Sequence, residues 1–202
     1  MEKVNSNEKK TFRESSMSFF KDFFSVKMIT LNAFVAALYA VLTIVCYPLS
    51  YSYMQLRFSE LLNLLVFFNP SYTLGLTIGC LLSNLMSSAG IFDITLGTLA
   101  TFVSCLLMIG FSKLSKNLFF SGLIPCIVNA ITVPFIIYLA SSGTSDAFAL
   151  EAPIFFIMGG WTFLGEFIAI NIIGYSVFML LAKKYKGFQQ LFNANYNLDF
   201  KW

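Results

Sequence analysis

Apolar residues run through this chain in long blocks separated by short polar breaks. Six blocks stand out, at residues 28–47, 57–68, 71–86, 91–111, 118–140 and 154–182. About 20 helical residues cover the roughly 30 Å hydrocarbon core of a bilayer, so blocks of this length predict transmembrane helices. The breaks are of the kinds that stop helices. They are Pro48, Asn69-Pro70, residues 87–90, Lys113 with Lys116, residues 141–153 and the basic run at 183–186. The second block is short. Its twelve residues give roughly 18 Å as a helix. It reads either as a helix beginning near Tyr53 or as part of a re-entrant pair with the third block. Pro125 and Pro134 interrupt the fifth block. The predicted fold class is an all-α membrane protein, a bundle of six transmembrane helices over residues 28–182.

Composition supports lipid as the main solvent. Of 202 residues, 57% are hydrophobic and 11% charged, against roughly 25% charged in soluble domains. Residues 28–182 contain eight charges: Arg57, Glu60, Asp93, Lys113, Lys116, Asp146, Glu151 and Glu166. The rest lie in two tails, 1–27 and 183–202. Within 11–27, Phe12, Phe19, Phe20, Phe23 and Phe24 alternate with basic residues. This suggests an interfacial amphipathic helix, with a plain polar lead-in as the alternative. No cleavable signal peptide is expected. With six crossings, twelve of the thirteen Lys and Arg residues fall on one side, Arg57 being the exception. The positive-inside rule makes that side cytoplasmic and puts both termini there.

Several chemistries find no support. There is no histidine, so His-based acid–base catalysis and His metal ligation are excluded. Cys46, Cys80, Cys105 and Cys126 lie in apolar runs without a CxxC pair and read as small core residues. No metal site, cofactor or enzymatic activity is expected. The polar residues that remain gather toward the outer half: Arg57 and Glu60, Asn84, Asp93, and Trp161 with Glu166. An ionisable group at membrane depth costs at least ~2.5 kcal/mol on insertion scales and usually faces a cavity or a partner. Glu166 falls about one turn below the outer boundary, beside Thr162, Gly159, Gly160 and Gly165. It reads as a carboxylate in an outward-facing pocket, or as a structural partner of Arg57. Arg57 and Glu60 share a helix face, as an ion pair or as groups at a pocket mouth. Asp93 reads as an N-cap or a ligand contact. Asp146 and Glu151 read as solvated loop charges. In the first block, Ala33 with Ala37 and Ala36 with Ala40 form small-xxx-small patterns, which let another helix approach closely in lipid.

These residues together resemble a known family. Ala33, Ala36, Ala37 and Ala40 resemble the alanine motif of S components of energy-coupling factor (ECF) transporters. The runs Gln55–Glu60, Phe67–Pro70, Gly79–Asn84 and Asp93–Thr101, with the Gly165-Glu166 pair, look like the QueT family. The resemblance spans about residues 28–182. It implies a membrane-embedded substrate-binding component in the bacterial cell membrane, capturing a queuosine precursor such as 7-aminomethyl-7-deazaguanine. It further implies a membrane coupling subunit and two cytoplasmic ATPases as partners. The chain carries no GxxxxGK[ST] phosphate loop. In that reading Glu166, Glu60, Asp93, Arg57, Trp161 and Asn84 are the substrate-binding candidates, with Tyr51 and Tyr53 as stacking platforms. The alanines face the partner. An S component for another vitamin and a stand-alone transporter remain as alternatives. An intramembrane enzyme is disfavoured by the absence of histidine and of a clustered nucleophile.

Overall fold

The computed structural model describes residues 25–52, 54–115, 117–141 and 152–184. The tails at 1–24 and 185–202, the loop holding Asp146 and Glu151, and Tyr53 lie outside them, and with them the expected interfacial helix. The described residues are helical, without a strand.

The first helix, α1 (Val26–Val45), begins where the Ser25 hydroxyl accepts the Met28 amide and ends at Cys46. A short helix, α2 (Tyr47–Ser50), carries Pro48 in its first turn, where no amide is needed. A 3₁₀ segment (Phe58–Asn63) runs into α3 (Leu64–Phe68). After Asn69, a 3₁₀ turn (Pro70–Tyr72) opens α4 (Thr73–Asn84). A π segment (Asp93–Gly97) leads into α5 (Thr98–Ser115). The short α6 (Leu118–Ser121) precedes α7 (Leu123–Ser141), which carries Pro134 in its interior. The last span consists of α8 (Ala152–Phe167), a π segment (Ile168–Gly174) and α9 (Tyr175–Lys184).

Four of these helices are long and apolar enough to cross a bilayer: Val26–Val45, Asp93–Ser115, Leu118–Ser141 and Pro153–Leu181. The second and third sequence blocks form shorter helices. Segment Phe58–Phe68 is not a lipid-facing helix. Leu62, Leu64, Leu65, Val66, Phe67 and Phe68 are all buried and sit at the centre of the core with Tyr39, Leu76, Met108, Leu118 and Ile170. Its shortness follows from that position, since it is wrapped by protein.

α1 shows how a membrane helix without an amphipathic pattern still has an inside. Asn32, Val35, Ala36, Tyr39, Ala40 and Thr43 are buried, spaced three and four apart on one face. The opposite face, with Ala33, Phe34, Ala37 and Val41, is exposed. The buried face meets α4 at two glycines. A Cβ on Gly75 would lie 2.6 Å from the Asn32 carbonyl, and one on Gly79 would lie 2.7 Å from Tyr39 Cβ. Only glycine permits this approach. The Asn32 side chain completes the junction by accepting the Gly75 amide at 2.9 Å, satisfying a first-turn donor of α4. Ala36 and Ala40 are therefore consumed by the chain's own packing, and the expectation that all four alanines face a partner is corrected. Ala33 and Ala37 alone point outward.

Candidate functional site

Polar side chains collect inside the bundle where the 54–63 segment passes between α1 and the last span. Thr43 and Ser59 share a hydroxyl hydrogen bond of 2.6 Å, and one turn away the Tyr39 hydroxyl donates to Glu60 Oε1 at 2.5 Å. Asn63 donates to Glu60 Oε2. Arg57 Nη1 lies 3.9 Å from Glu60 Oε1, forming an ion pair in which both side chains are buried. Both Glu60 oxygens are thus engaged by the protein. The Arg57 guanidinium lies 5.3 Å from the Tyr51 ring centroid, within cation–π range. The Tyr51 hydroxyl donates to the Ser83 carbonyl at 2.7 Å.

Glu166 occupies the facing helix and is 1% exposed. Its Oε1 accepts from Asn129 Nδ2 of α7 at 3.1 Å. Its Oε2 is buried without a hydrogen-bond partner. The alternative of a Glu166–Arg57 pair is not what forms: the arginine pairs with Glu60 and Glu166 with Asn129. The strand of chain above it is held close by Gly165. A Cβ there would collide with the Met54 carbonyl oxygen. Next in that segment, Gln55 adopts φ +45°, a left-handed conformation uncommon for a residue with a side chain. Thr162, one turn from Glu166, is buried and its hydroxyl has no partner. Trp161 points elsewhere and is 50% exposed, because one residue along a helix rotates the side chain by about 100°. The structure does not bring it to Glu166.

Asp93 does not cap a helix. It opens the π segment as the third residue of the helical run, within the first turn, and it is 5% exposed. Its main-chain carbonyl accepts from Asn84 Nδ2 at 3.0 Å. Asn84 is fully buried, and its Oδ1 has no partner. Asp93 lines a cavity of about 330 Å³ with Tyr51, Gln55, Ser87, Val133 and Ile136. Val133 stands one helical turn from Asn129, so the cavity floor and the Glu166–Asn129 pair are adjacent on α7. Arg57, Asp93, Asn84, Glu60 and Glu166 therefore belong to one polar interior. Orphaned donors and acceptors at membrane depth are costly, and each calls for a partner.

Tyr39, Asn63 and Asn129 escaped the sequence reading. The signal for Asn129 was present: it is the one amide side chain within the apolar run 118–140. Tyr39 and Asn63 are ordinary in sequence and gain meaning only from Glu60.

Similarity to known proteins gives the family. The sequence model described as QueT transporter matches residues 29–183, the whole helical domain. The chain belongs to the QueT transporter family. A curated relative, the "Queuosine precursor transporter QueT" of Lactococcus lactis subsp. cremoris (strain MG1363), is 34% identical over 143 residues, covering 69% of this chain and 83% of the relative. No solved structure gives a significant match. Membership of a transporter family, with four helices able to cross a bilayer, makes this QueT-family chain a multi-pass membrane protein.

Proposed function

We propose that this chain is the substrate-binding S component of an ECF-type importer and captures a queuosine precursor, a 7-deazaguanine such as 7-aminomethyl-7-deazaguanine, from outside the cell. The observation that carries the reading is Glu166: a fully buried carboxylate with one oxygen fixed by Asn129 and the other unpartnered. A guanine-like edge presents two adjacent donors, an arrangement that a carboxylate accepts in bidentate fashion. The neighbouring cavity of about 330 Å³ falls in the size range of small-molecule sites, and the Tyr51 ring in its wall offers a face for a flat base. Asn84 and Arg57 lie behind the wall, the first bonded to the Asp93 carbonyl and the second against the Tyr51 ring. Glu60 serves as the clamp that holds Arg57 and the 57–63 segment to α1, because neither of its oxygens is free.

The bundle crosses the membrane six times in this reading, with segments 58–68 and 70–84 as the two short crossings and both termini cytoplasmic. Twelve of thirteen basic residues then lie inside. ATP hydrolysis belongs to two separate cytoplasmic subunits. A membrane coupling subunit docks on the outward face of α1 at Ala33 and Ala37. Reconstituted uptake of radiolabelled 7-aminomethyl-7-deazaguanine tests the assignment. Uptake should require the coupling subunit and both ATPases with ATP, while the isolated chain should bind but not transport. Transport by the isolated chain would establish a stand-alone transporter instead.

A further inference from the structure

The buried charges are unbalanced. Among the described residues, Arg57 is the one buried cation, and it faces three buried carboxylates, Glu60, Asp93 and Glu166, a formal excess of two negative charges. Glu60 is compensated by Arg57 and by hydrogen bonds from Tyr39 and Asn63. Glu166 keeps one hydrogen bond from a neutral amide. The Asp93 carboxylate has no hydrogen bond and no ion pair among the described residues, although the side chain is more than nine-tenths buried. Its place is the wall of the cavity, which Tyr51 and residues 87–89 also line. The carboxylate opens on the cavity, and no described cation of the chain pairs with it. A ligand that brings its own positive charge would supply that partner.

We infer that Asp93 forms a cation subsite of the cavity, which selects ligands carrying a primary ammonium or comparable positive arm over neutral ligands of the same shape. The inference rests on the deazaguanine reading above and adds to it the residue that selects a charged arm over a neutral one. The geometry suits a ligand with two recognition ends. The Glu166–Asn129 pair lies one turn of α7 from the cavity wall at Val133, and Asp93 lies on the cavity's other helix. A flat bicycle reaching toward Glu166 would leave its side arm at Asp93. Tyr51 stands beside that arm, and the Ser87 and Ser88 turn lines the same space with further oxygens. Gln55 stands in the same wall at φ +45°.

The test compares two near-isosteric probes, 7-aminomethyl-7-deazaguanine and 7-hydroxymethyl-7-deazaguanine, by calorimetry on the purified full chain. The wild type should bind the ammonium probe at least about tenfold more tightly, as expected for a desolvated charge pair. Asp93→Asn keeps the size of the side chain and should reduce that preference to within about threefold, leaving affinity for the hydroxyl probe nearly unchanged. Equal loss for both probes in Asp93→Asn would make Asp93 a structural partner of Arg57 and overturn the subsite. Equal affinity of the wild type for the two probes would overturn it as well, and that measurement requires no variant. If the wild type binds neither probe, the deazaguanine reading itself fails. If it binds both, and Glu166→Gln weakens both while Asp93→Asn changes neither, the reading stands and the subsite falls.

Discussion

Replacing Glu60 by glutamine separates its two conceivable roles, clamp and ligand contact. In the structure Glu60 Oε1 takes the Tyr39 hydroxyl at 2.5 Å and faces Arg57 at 3.9 Å, while Oε2 takes the Asn63 amide. Glutamine preserves the shape and one acceptor. Its amide nitrogen can be met by Asn63, whose Oδ1 is buried and unpartnered, if the Asn63 side chain turns over. What glutamine cannot replace is the charge opposite Arg57, and a buried charge stripped of its partner costs about 3–5 kcal/mol. Tyr39→Phe removes one hydrogen bond to a charged acceptor, about 1.5–3 kcal/mol. Thr43→Val removes one neutral bond to Ser59, which inside a membrane protein averages about 0.6 kcal/mol. The expected order of destabilisation is Glu60→Gln, then Tyr39→Phe, then Thr43→Val. Reversible unfolding in mixed micelles, followed by circular dichroism, reads that order. Under conditions where each variant remains folded, ligand affinity of Tyr39→Phe should stay within a few-fold of wild type. A Glu60→Gln protein as stable as wild type but impaired in binding would refute the clamp and make Glu60 a ligand contact.

Gly165→Ala places a methyl group against the Met54 carbonyl. It should displace the 54–55 segment and weaken binding by more than Gly160→Ala, whose Cβ meets nothing within 4 Å; paired affinity measurements check this. Ala37→Leu should abolish co-purification with the coupling subunit yet leave ligand binding intact, whereas Ala36→Leu, directed into the α1–α4 contact, should lower thermal stability in detergent. Single cysteines at Asn117 and Gly143, in a background lacking the native four, should be labelled by impermeant maleimide from the inside and the outside respectively; the reverse pattern would refute the orientation.

The helical blocks were legible because lipid demands long uninterrupted apolar runs and tolerates no exposed backbone. Boundaries shifted by a few residues where caps decide them, as at Ser25 and Cys46. The short second block was recognised as short, but sequence could not say that it lies wrapped in the core, because a buried helix and a lipid-facing helix are both apolar all round. For the same reason the alanines of α1 could not be divided in advance. The face of α1 that carries Asn32, Ala36 and Tyr39 turns inward against Gly75 and Gly79, a long-range pairing that leaves no local trace. Glu166 was legible from depth alone, since a carboxylate within an apolar helix requires a reason. Its partner was not: choosing Asn129 over Arg57 depends on how the last two spans pack. Trp161 lies close to Glu166 in sequence, but helical rotation leaves it half exposed on the surface.

Under the proposed function, Glu166 reads the guanine-like edge of a deazapurine. Calorimetric affinities of wild type and Glu166→Gln for two 7-deazapurines, one with and one without the exocyclic amine, test it most directly. Glutamine turns one acceptor into a donor, so at least about a tenfold loss, near 1.4 kcal/mol, is expected for the amine-bearing ligand. A clearly smaller loss is expected for the ligand lacking the amine. Equal loss for both ligands, in a protein that remains folded, would contradict the assignment and leave Glu166 with a structural role beside Asn129.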